Sequence, residues 1–426
     1  MSVIRNPAKD SGATVGNVWA ATPRDLFSPR AGFAWNIFGG GKTVLRGGGG
    51  IFRDQFPLSL FGLDRVLPPF YGVNSYVFPS FLSPQNAVPQ PIDVYQMTYN
   101  PKFPYALQYN LNLEQEIAPE TILSAGYFGA RGNHLPRGVE TNPFEPALGH
   151  RFNPNLPSAL AEDLTDAQSF YNSFQLSVSQ HHAHNVSWQA FYTFSHSTDD
   201  ATNNFNIDAV NEPATTQDPF NRKGSRGRSG FDIRHNFVAN VVYELPFGRK
   251  KQLGGWQISA IASIHSNVPF TPMLAFDNAD VQSLFTSDRP DLSGNPYAGV
   301  CPNGNRVGTP SCWFNSSAFA VPPPDQFGTA GRNSLRGPTF AELNPSLQKG
   351  FQLNEGMRIT FGVEAYNLLN RPNFGVPSNT QSALSVGGNG DAIFKDAAGH
   401  IADNVGRILS TVGSARQIQL DARFTF

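Results

Sequence analysis

Gly39-Gly-Gly-Lys-Thr43 ends the way a phosphate-binding loop ends, with a lysine and a hydroxyl behind glycines whose backbone N–H groups can cradle an anion. That motif needs a further glycine five residues before its second one, where Asn36 stands. It also needs a following helix, and Val44-Leu-Arg-Gly-Gly-Gly-Gly-Ile-Phe52 reads instead as a Gly-rich strand, so the glycines are assigned to a hairpin turn. His181, His182 and His184 offer imidazoles to a metal, but no cysteine or carboxylate accompanies them and the segment reads as a turn. Asp199-Asp200, with Thr202, Asn203 and Asn204 behind it, offers oxygens that a calcium ion accepts, without the Gly spacing of a dedicated loop. The run Arg222-Lys-Gly-Ser-Arg-Gly-Arg228 is basic and reads as a solvated loop, near acidic headgroups or in water. Cys301 and Cys312 fit a small loop disulfide in an oxidising compartment, or else two separate thiols. No Ser/His/Asp, Cys/His or paired-carboxylate arrangement stands out, so the chain reads as a non-enzyme with no cofactor and no resident metal.

The elements that carry these residues are strands. In Arg416–Phe426 the apolar residues Ile418, Leu420, Ala422, Phe424 and Phe426 alternate with Gln417, Gln419, Asp421, Arg423 and Thr425. Successive side chains of a strand point to opposite faces, so this segment has one greasy and one wet face. Its length matches the roughly 9–11 residues of a tilted strand crossing a bilayer. A strand of a soluble sandwich shows the same alternation.

The loop rhythm separates the two. Alternating segments are predicted at Arg30–Ile37 and Thr43–Phe52, Tyr105–Glu116 and Thr121–Arg131, and Tyr171–Gln180 and Val186–His196. Others follow at Arg234–Leu245 and Trp256–His265, Asn344–Leu353 and Met357–Leu369, and finally Arg416–Phe426, which makes eleven strands, with a twelfth near Val15–Ala20. Short turns alternate strictly with long gaps at 53–104, 132–170, 197–233, 267–343 and 370–415. An antiparallel transmembrane β-barrel, with short turns at one rim and long loops at the other, requires that alternation. A Greek-key sandwich does not.

Composition agrees. Charged residues are 15%, against roughly 25% in soluble proteins, while aromatics reach 12% with 35 Phe. The 40 Gly and 34 Pro oppose helices and suit strands joined by irregular loops. A net charge of −1 gives no global field for nucleic acid. Met1-Ser-Val-Ile-Arg-Asn-Pro-Ala-Lys-Asp has no apolar core for an export signal, so the expectation is either a cytosolic chain or an exported one whose beginning lies upstream.

Several segments resemble the barrel of TonB-dependent outer-membrane receptors, and within them the Oar-like group. They include Phe27-Ser-Pro-Arg-Ala-Gly-Phe-Ala-Trp35, Gly41-Lys-Thr-Val-Leu-Arg-Gly-Gly-Gly-Gly-Ile-Phe52 and Gly126-Tyr-Phe-Gly-Ala-Arg-Gly-Asn-His-Leu135. Tyr192-Thr-Phe-Ser-His-Ser-Thr-Asp-Asp200, Asp232-Ile-Arg-His-Asn-Phe237, Tyr243-Glu-Leu-Pro-Phe-Gly248, Gly331-Arg-Asn-Ser-Leu-Arg-Gly-Pro338 and Phe361-Gly-Val-Glu-Ala-Tyr-Asn-Leu-Leu-Asn-Arg-Pro-Asn-Phe374 follow in the same order. The resemblance implies an all-β fold, a barrel of about 22 strands with an N-terminal plug, energised through the TonB complex. The expectation is therefore a partial barrel in the cell outer membrane, with periplasmic short turns and extracellular long loops. Residues 1–29 would be an N-terminal remnant, and 30–426 the C-terminal barrel segment without a plug, so that TonB would be reached only through a plug outside this chain. The expected partners are outer-membrane lipid, the barrel assembly machinery and an unidentified bulky solute, with Cys301 and Cys312 in the longest outer loop. Ile418, Leu420, Ala422, Phe424 and the terminal Phe426 resemble the C-terminal signal read by that machinery. A non-transporting surface protein, for adhesion or assembly, is the other function this pattern fits.

Overall fold

The computed structural model describes residues 2–17, 19–20, 26–56, 75–76, 89–90, 94–183, 185–201, 215–246, 254–283, 288–354, 356–377 and 392–426. Its main element is a 13-stranded sheet, in which eleven strands follow one another in chain order and two short ones join from the side. We number the eleven β1 (Arg30–Asn36), β2 (Thr43–Arg53), β3 (Tyr105–Ala118), β4 (Thr121–Glu140), β5 (Leu160–Ala183) and β6 (Val186–Asp199). They continue as β7 (His235–Glu244), β8 (Trp256–His265), β9 (Phe340–Gln352), β10 (Arg358–Tyr366) and β11 (Gln417–Thr425). Every neighbouring pair is antiparallel.

Register makes the two faces explicit. Trp35, Leu45, Leu113, Ala125, Leu176, Tyr192, Phe237, Ile264 and Ala341 form one cross-strand row. Leu420, Val363, Leu347, Ile258, Tyr243 and Val186 form a second row on the same face. The opposite face carries rows such as Arg46, Asn112, Gly126, Gln175, Thr193, Asn236 and His265. The apolar face is uncovered: Leu420 is 75% and Trp35 56% exposed. An apolar patch of this extent is not stable in water and is the natural surface to set against lipid.

Short connections are as expected at one rim. Gly39 and Gly41 take φ of 73° and 74° in the turn between β1 and β2, and a strand follows, so the phosphate-loop resemblance ends there. Further along β2, a Cβ on Gly47 would stand 2.6 Å from the Phe33 ring, so the ring lies over the glycine and a side chain there would displace it. The β5–β6 turn is tighter than predicted. The strands run through His181 and His182 to Ala183, which pairs with Val186, so those two histidines are strand residues, and His184 lies outside the described residues.

Two expectations need correction. The segment 132–170 is not simply a loop, because β4 has 20 residues and β5 has 24. With roughly 9–11 residues needed to cross a bilayer, about a dozen residues of β5 project beyond it, roughly 40 Å at ~3.3 Å each. Alternation fails there because both faces are covered, so periodicity gave no strand signal. The twelfth strand near Val15–Ala20 does not join the sheet. Thr14–Val15 pairs instead with Ser2–Val3 in a separate ribbon, and residue 18 lies outside the described residues. In the segment before β1, Ile4 is buried with Val94, Leu156 and Leu160.

Each end of the eleven-strand path is open. β1 pairs only with β2 and β11 only with β10 among the described residues, and all seven residues of β1 are exposed. As first and eleventh members of an antiparallel series, β1 and β11 run in the same direction.

Candidate functional site: the long-loop crown

At the rim opposite the short turns, the long connections fold into a crown with its own packing. Phe270, Leu274, Phe314, Phe319, Leu335, Ile393 and Phe394 are buried together. Cys301 and Cys312 form a disulfide beside them, with Cα atoms 6.1 Å apart, and Phe314 belongs to both the core and the bridge, since its carbonyl lies 3.1 Å from Cys301 Sγ. No apolar run announces this core. Its members come from two separate long gaps and meet only in the fold.

A second part of the crown is built on the projecting halves of β4 and β5. The short strand Val94–Met97 pairs with β5 in parallel. The side-chain amide of Gln96 donates to the Ile4 carbonyl (2.8 Å) and to Glu162 (2.6 Å), while its oxygen accepts from the Ile4 N–H (2.8 Å). Glu162 is 2% exposed, and burial pushes its carboxyl up to about 7 against the opposing hydrogen bonds of Gln96 and Thr141. Glu140 accepts from the Asn142 N–H at 3.0 Å and the Leu160 N–H at 2.7 Å. Asn153 donates to the carbonyls of Pro7 and Asp10, which ties the N-terminal segment down.

Charge pairing locks the two parts together. Asp199 pairs with the buried Arg332, whose Nε donates to the Ser225 carbonyl at 2.7 Å. Asp200 receives Arg226 at 3.1 Å and Arg222 at 3.7 Å. Arg137 grips both oxygens of Asp166 at 3.0 and 2.8 Å, the fork geometry that guanidinium favours. The Asp199 and Asp200 oxygens considered for calcium are therefore held by arginine; Thr202, Asn203 and Asn204 lie outside the described residues, and among the described residues no group of three His, Cys, Asp or Glu is arranged for a metal. Asp288 accepts from the Asn278 and Ala279 N–H groups, yet burial still raises it to about 6. Burial first, and Arg332 second, lowers Arg289 to about 10.

Two cavities open in the crown on either side of the extended segment 98–103. One, of about 380 Å³, is lined by Trp19, Leu26, Phe56, Pro101 and Phe103, with Arg53 and Asp54 at its polar side. The other, of about 350 Å³, is lined by Asn100, Lys102, Asn133, His134, Gln168 and Arg222, among others. Pro101 and Phe103 turn to the first, Asn100 and Lys102 to the second, as alternate residues of an extended chain must. One cavity offers aromatic surface and the other amides and cations, which is equipment for binding rather than for bond making. Of the residues singled out from sequence, Asp199, Asp200, Arg222 and Arg226 meet in one network. Cys301 and Cys312 sit apart from both cavities' linings, and Ile418, Leu420, Ala422 and Phe424 lie on the far edge strand. Phe426 lies past the end of β11, 93% exposed and stacked on Phe424 at 5.9 Å. The sequence reading missed Glu140, Glu162, Arg137 and Arg332; a buried carboxyl or guanidinium inside a long gap leaves no periodic mark.

Residues 5–419 match the family model described as an outer membrane beta barrel domain. No curated protein sequence matches the chain. Among solved structures, the outer membrane transporter YddB from Escherichia coli superposes with a TM-score of 0.50 at 13% identity, covering 94% of this chain and 40% of that one. A variant of the ferric enterobactin receptor PfeA from Pseudomonas aeruginosa gives 0.47 at 9% identity, covering 93% and 40%. The chain thus spans about two fifths of the length of these proteins. At such identity the YddB likeness concerns the fold: an all-β, antiparallel, barrel-type wall.

Proposed function

The chain belongs to the outer membrane β-barrel domain family and resides in the outer membrane, and from that premise we propose that it is wall and outer ligand-binding loops of a TonB-dependent receptor of the Oar-like group. The single observation that carries this reading is the asymmetry of the sheet. One rim has tight turns, and the other has long connections that build a packed, disulfide-bridged core and, apart from it, an aromatic and a polar cavity. A barrel that only filled the membrane has no use for such a crown. In this reading the crown is extracellular and captures a bulky solute, and the wet face lines the lumen. The TonB complex then acts through a plug outside this chain. The barrel assembly machinery reads the Ile418-to-Phe426 row.

Strand parity supports the view of a partial wall. Closing β1 on β11 would join two strands of the same direction, and so would a second copy turned about the barrel axis. A copy inverted across the membrane would bring antiparallel edges together, but with its crown in the wrong leaflet. A complement with an odd number of strands closes the wall antiparallel at both edges, as 22 − 11 = 11 does in a barrel of about 22 strands.

The test is made on protein extracted natively from outer membranes. Transport predicts that the 46.4 kDa chain is recovered with plug-bearing polypeptide, covalently or as a complex, and that this species binds the purified periplasmic domain of TonB. Recovery of the chain alone, without TonB binding but with cell-attachment activity, would instead establish the surface-protein reading.

A further inference from the structure

Strands β4, β5 and β6 change character in the same way as they approach the crown. On the face shared with the apolar rows, β4 reads Ala125, Tyr127, Gly129, Arg131, and β5 reads, in the same direction, Leu176, Phe174, Asn172, Phe170. β6 reads Tyr192, Phe194, His196, Thr198. Tyr109 and Tyr127 both donate to Asn172, at 3.0 and 2.7 Å, as ring hydroxyls do where apolar and wet layers meet. Beyond that level come guanidinium groups, several seated on an aromatic ring. Arg131 lies 5.0 Å and Arg226 5.1 Å from the centre of the Phe170 ring, and Arg234 lies 5.7 Å from that of Phe194. Arg228 pairs with Thr198 and so extends the row Arg131–Phe170–Thr198.

From this order we propose that the lipid-facing side of the crown rim is a docking band for the phosphorylated headgroups of outer-leaflet lipid, formed by Arg131, Arg226, Arg228 and Arg234. Charge leaves the band in need of an anion. Asp200 is occupied by Arg226 and Arg222, and Asp232 accepts the Ser197 N–H at 2.7 Å and faces His196. Arg131, Arg228 and Arg234 have no carboxylate ion pair among the described residues; Arg234 reaches His196 Nδ1 at 3.1 Å through one terminal nitrogen, and its Nε is buried without a partner. Burial lowers the pKa of Arg228, the nearby Arg336 and Arg234 lower it further, and Asp232 offsets only part of that. A phosphate between them removes that repulsion and accepts two N–H bonds from each fork. The ring seats matter to the choice of ligand. A guanidinium in open water needs none, whereas one held at an interface keeps its plane against the ring and its edge toward the headgroups. The face decides the source, because the band continues the surface that carries Leu176, Phe174 and Tyr192 rather than the wet face that carries Gln175 and Thr193.

This inference rests on the orientation given under Proposed function, and its test is independent of that orientation because vesicles present the same lipid to both rims. The full chain, extracted natively, is reconstituted in phosphatidylcholine vesicles with bis-phosphorylated lipid A or with its dephosphorylated form, and retained lipid is read by native mass spectrometry. Wild type should retain the phosphorylated form preferentially. Arg131→Gln with Arg228→Gln should retain it roughly 30-fold more weakly, about fivefold per arginine, while Arg46→Gln on the wet face should match wild type. The Arg131→Lys variant, which keeps the charge, reports whether the double variant fails only by misfolding, since it should keep most of the binding. Equal retention of both lipid forms, or by the double variant, overturns the proposal. Displacement by inorganic phosphate at equal concentration would reassign the band to a soluble anion and overturn it as well.

Discussion

Ala260 and Ser259 are adjacent midway along β8, yet replacing each by arginine should have opposite outcomes. Ala260 pairs with Val241 and Pro345, and its face carries Ile258, Ala262 and Ile264. A guanidinium there has only hydrocarbon around it. On the lipid face near the bilayer midplane the penalty is about 2–4 kcal/mol, a factor of roughly 30 to 1,000 in the folded-to-unfolded ratio. Ser259 pairs with Val242 and Ser346 on the wet face, where arginine keeps its water and the expected change is within about 0.5 kcal/mol. The assay is the urea-resistant fraction in washed outer membranes, followed by denaturant titration of the vesicle-inserted protein. Ala260→Arg should nearly abolish insertion and Ser259→Arg should leave it intact. If the two variants insert equally, the sheet does not set this face against lipid; if Ser259→Arg is the defective one, the faces are assigned the wrong way round.

Glu162 gives a pH prediction. Its folded pKa of about 7 lies above the ordinary 4.5, so the native state holds the proton more tightly. The contribution is complete below pH 4.5 and is lost as pH rises through about 7, a loss of about 3 kcal/mol at alkaline pH. The protection factors of the Val94–Met97 amides, that is, exchange corrected for its intrinsic base-catalysed rise with pH, should therefore fall between pH 5 and 8 (roughly that window) in wild type and stay flat in Glu162→Gln; flat wild-type protection refutes the assignment. Intact mass after alkylation, with and without prior reduction, should show Cys301 and Cys312 protected until reductant is added. Two thiols alkylated freely in exported protein would contradict the bridge. Deleting Phe426 should lower the assembled amount more than Thr425→Ala does, and equal assembly counts against the terminal aromatic as a signal.

What sequence could convey tracked physical regularity. Where a strand has one face in lipid and one in water, the two-residue period is enforced at every step, as in β8 or β11, and the sequence-read segments fall on the observed strands. Where both faces are covered by protein the period vanishes, so the outer halves of β4 and β5 were hidden within a presumed loop. The crown core was illegible for a different reason. Phe270, Phe314 and Ile393 are far apart in sequence and belong to no repeating element. Arginines were visible as a basic run at 222–228, but their ring seats on Phe170 and Phe194 depend on cross-strand register, which a single sequence does not print.

The central claim is that the sheet spans the outer membrane with its crown outside and its short turns inside. Gly304 in the crown and Gly40 in the β1–β2 turn both border open space and should accept a short epitope. On intact cells, antibody should bind the epitope placed after Gly304 and reach the one after Gly40 only once the outer membrane is permeabilised. Binding at Gly40 on intact cells, or equal binding at both positions, would contradict the account.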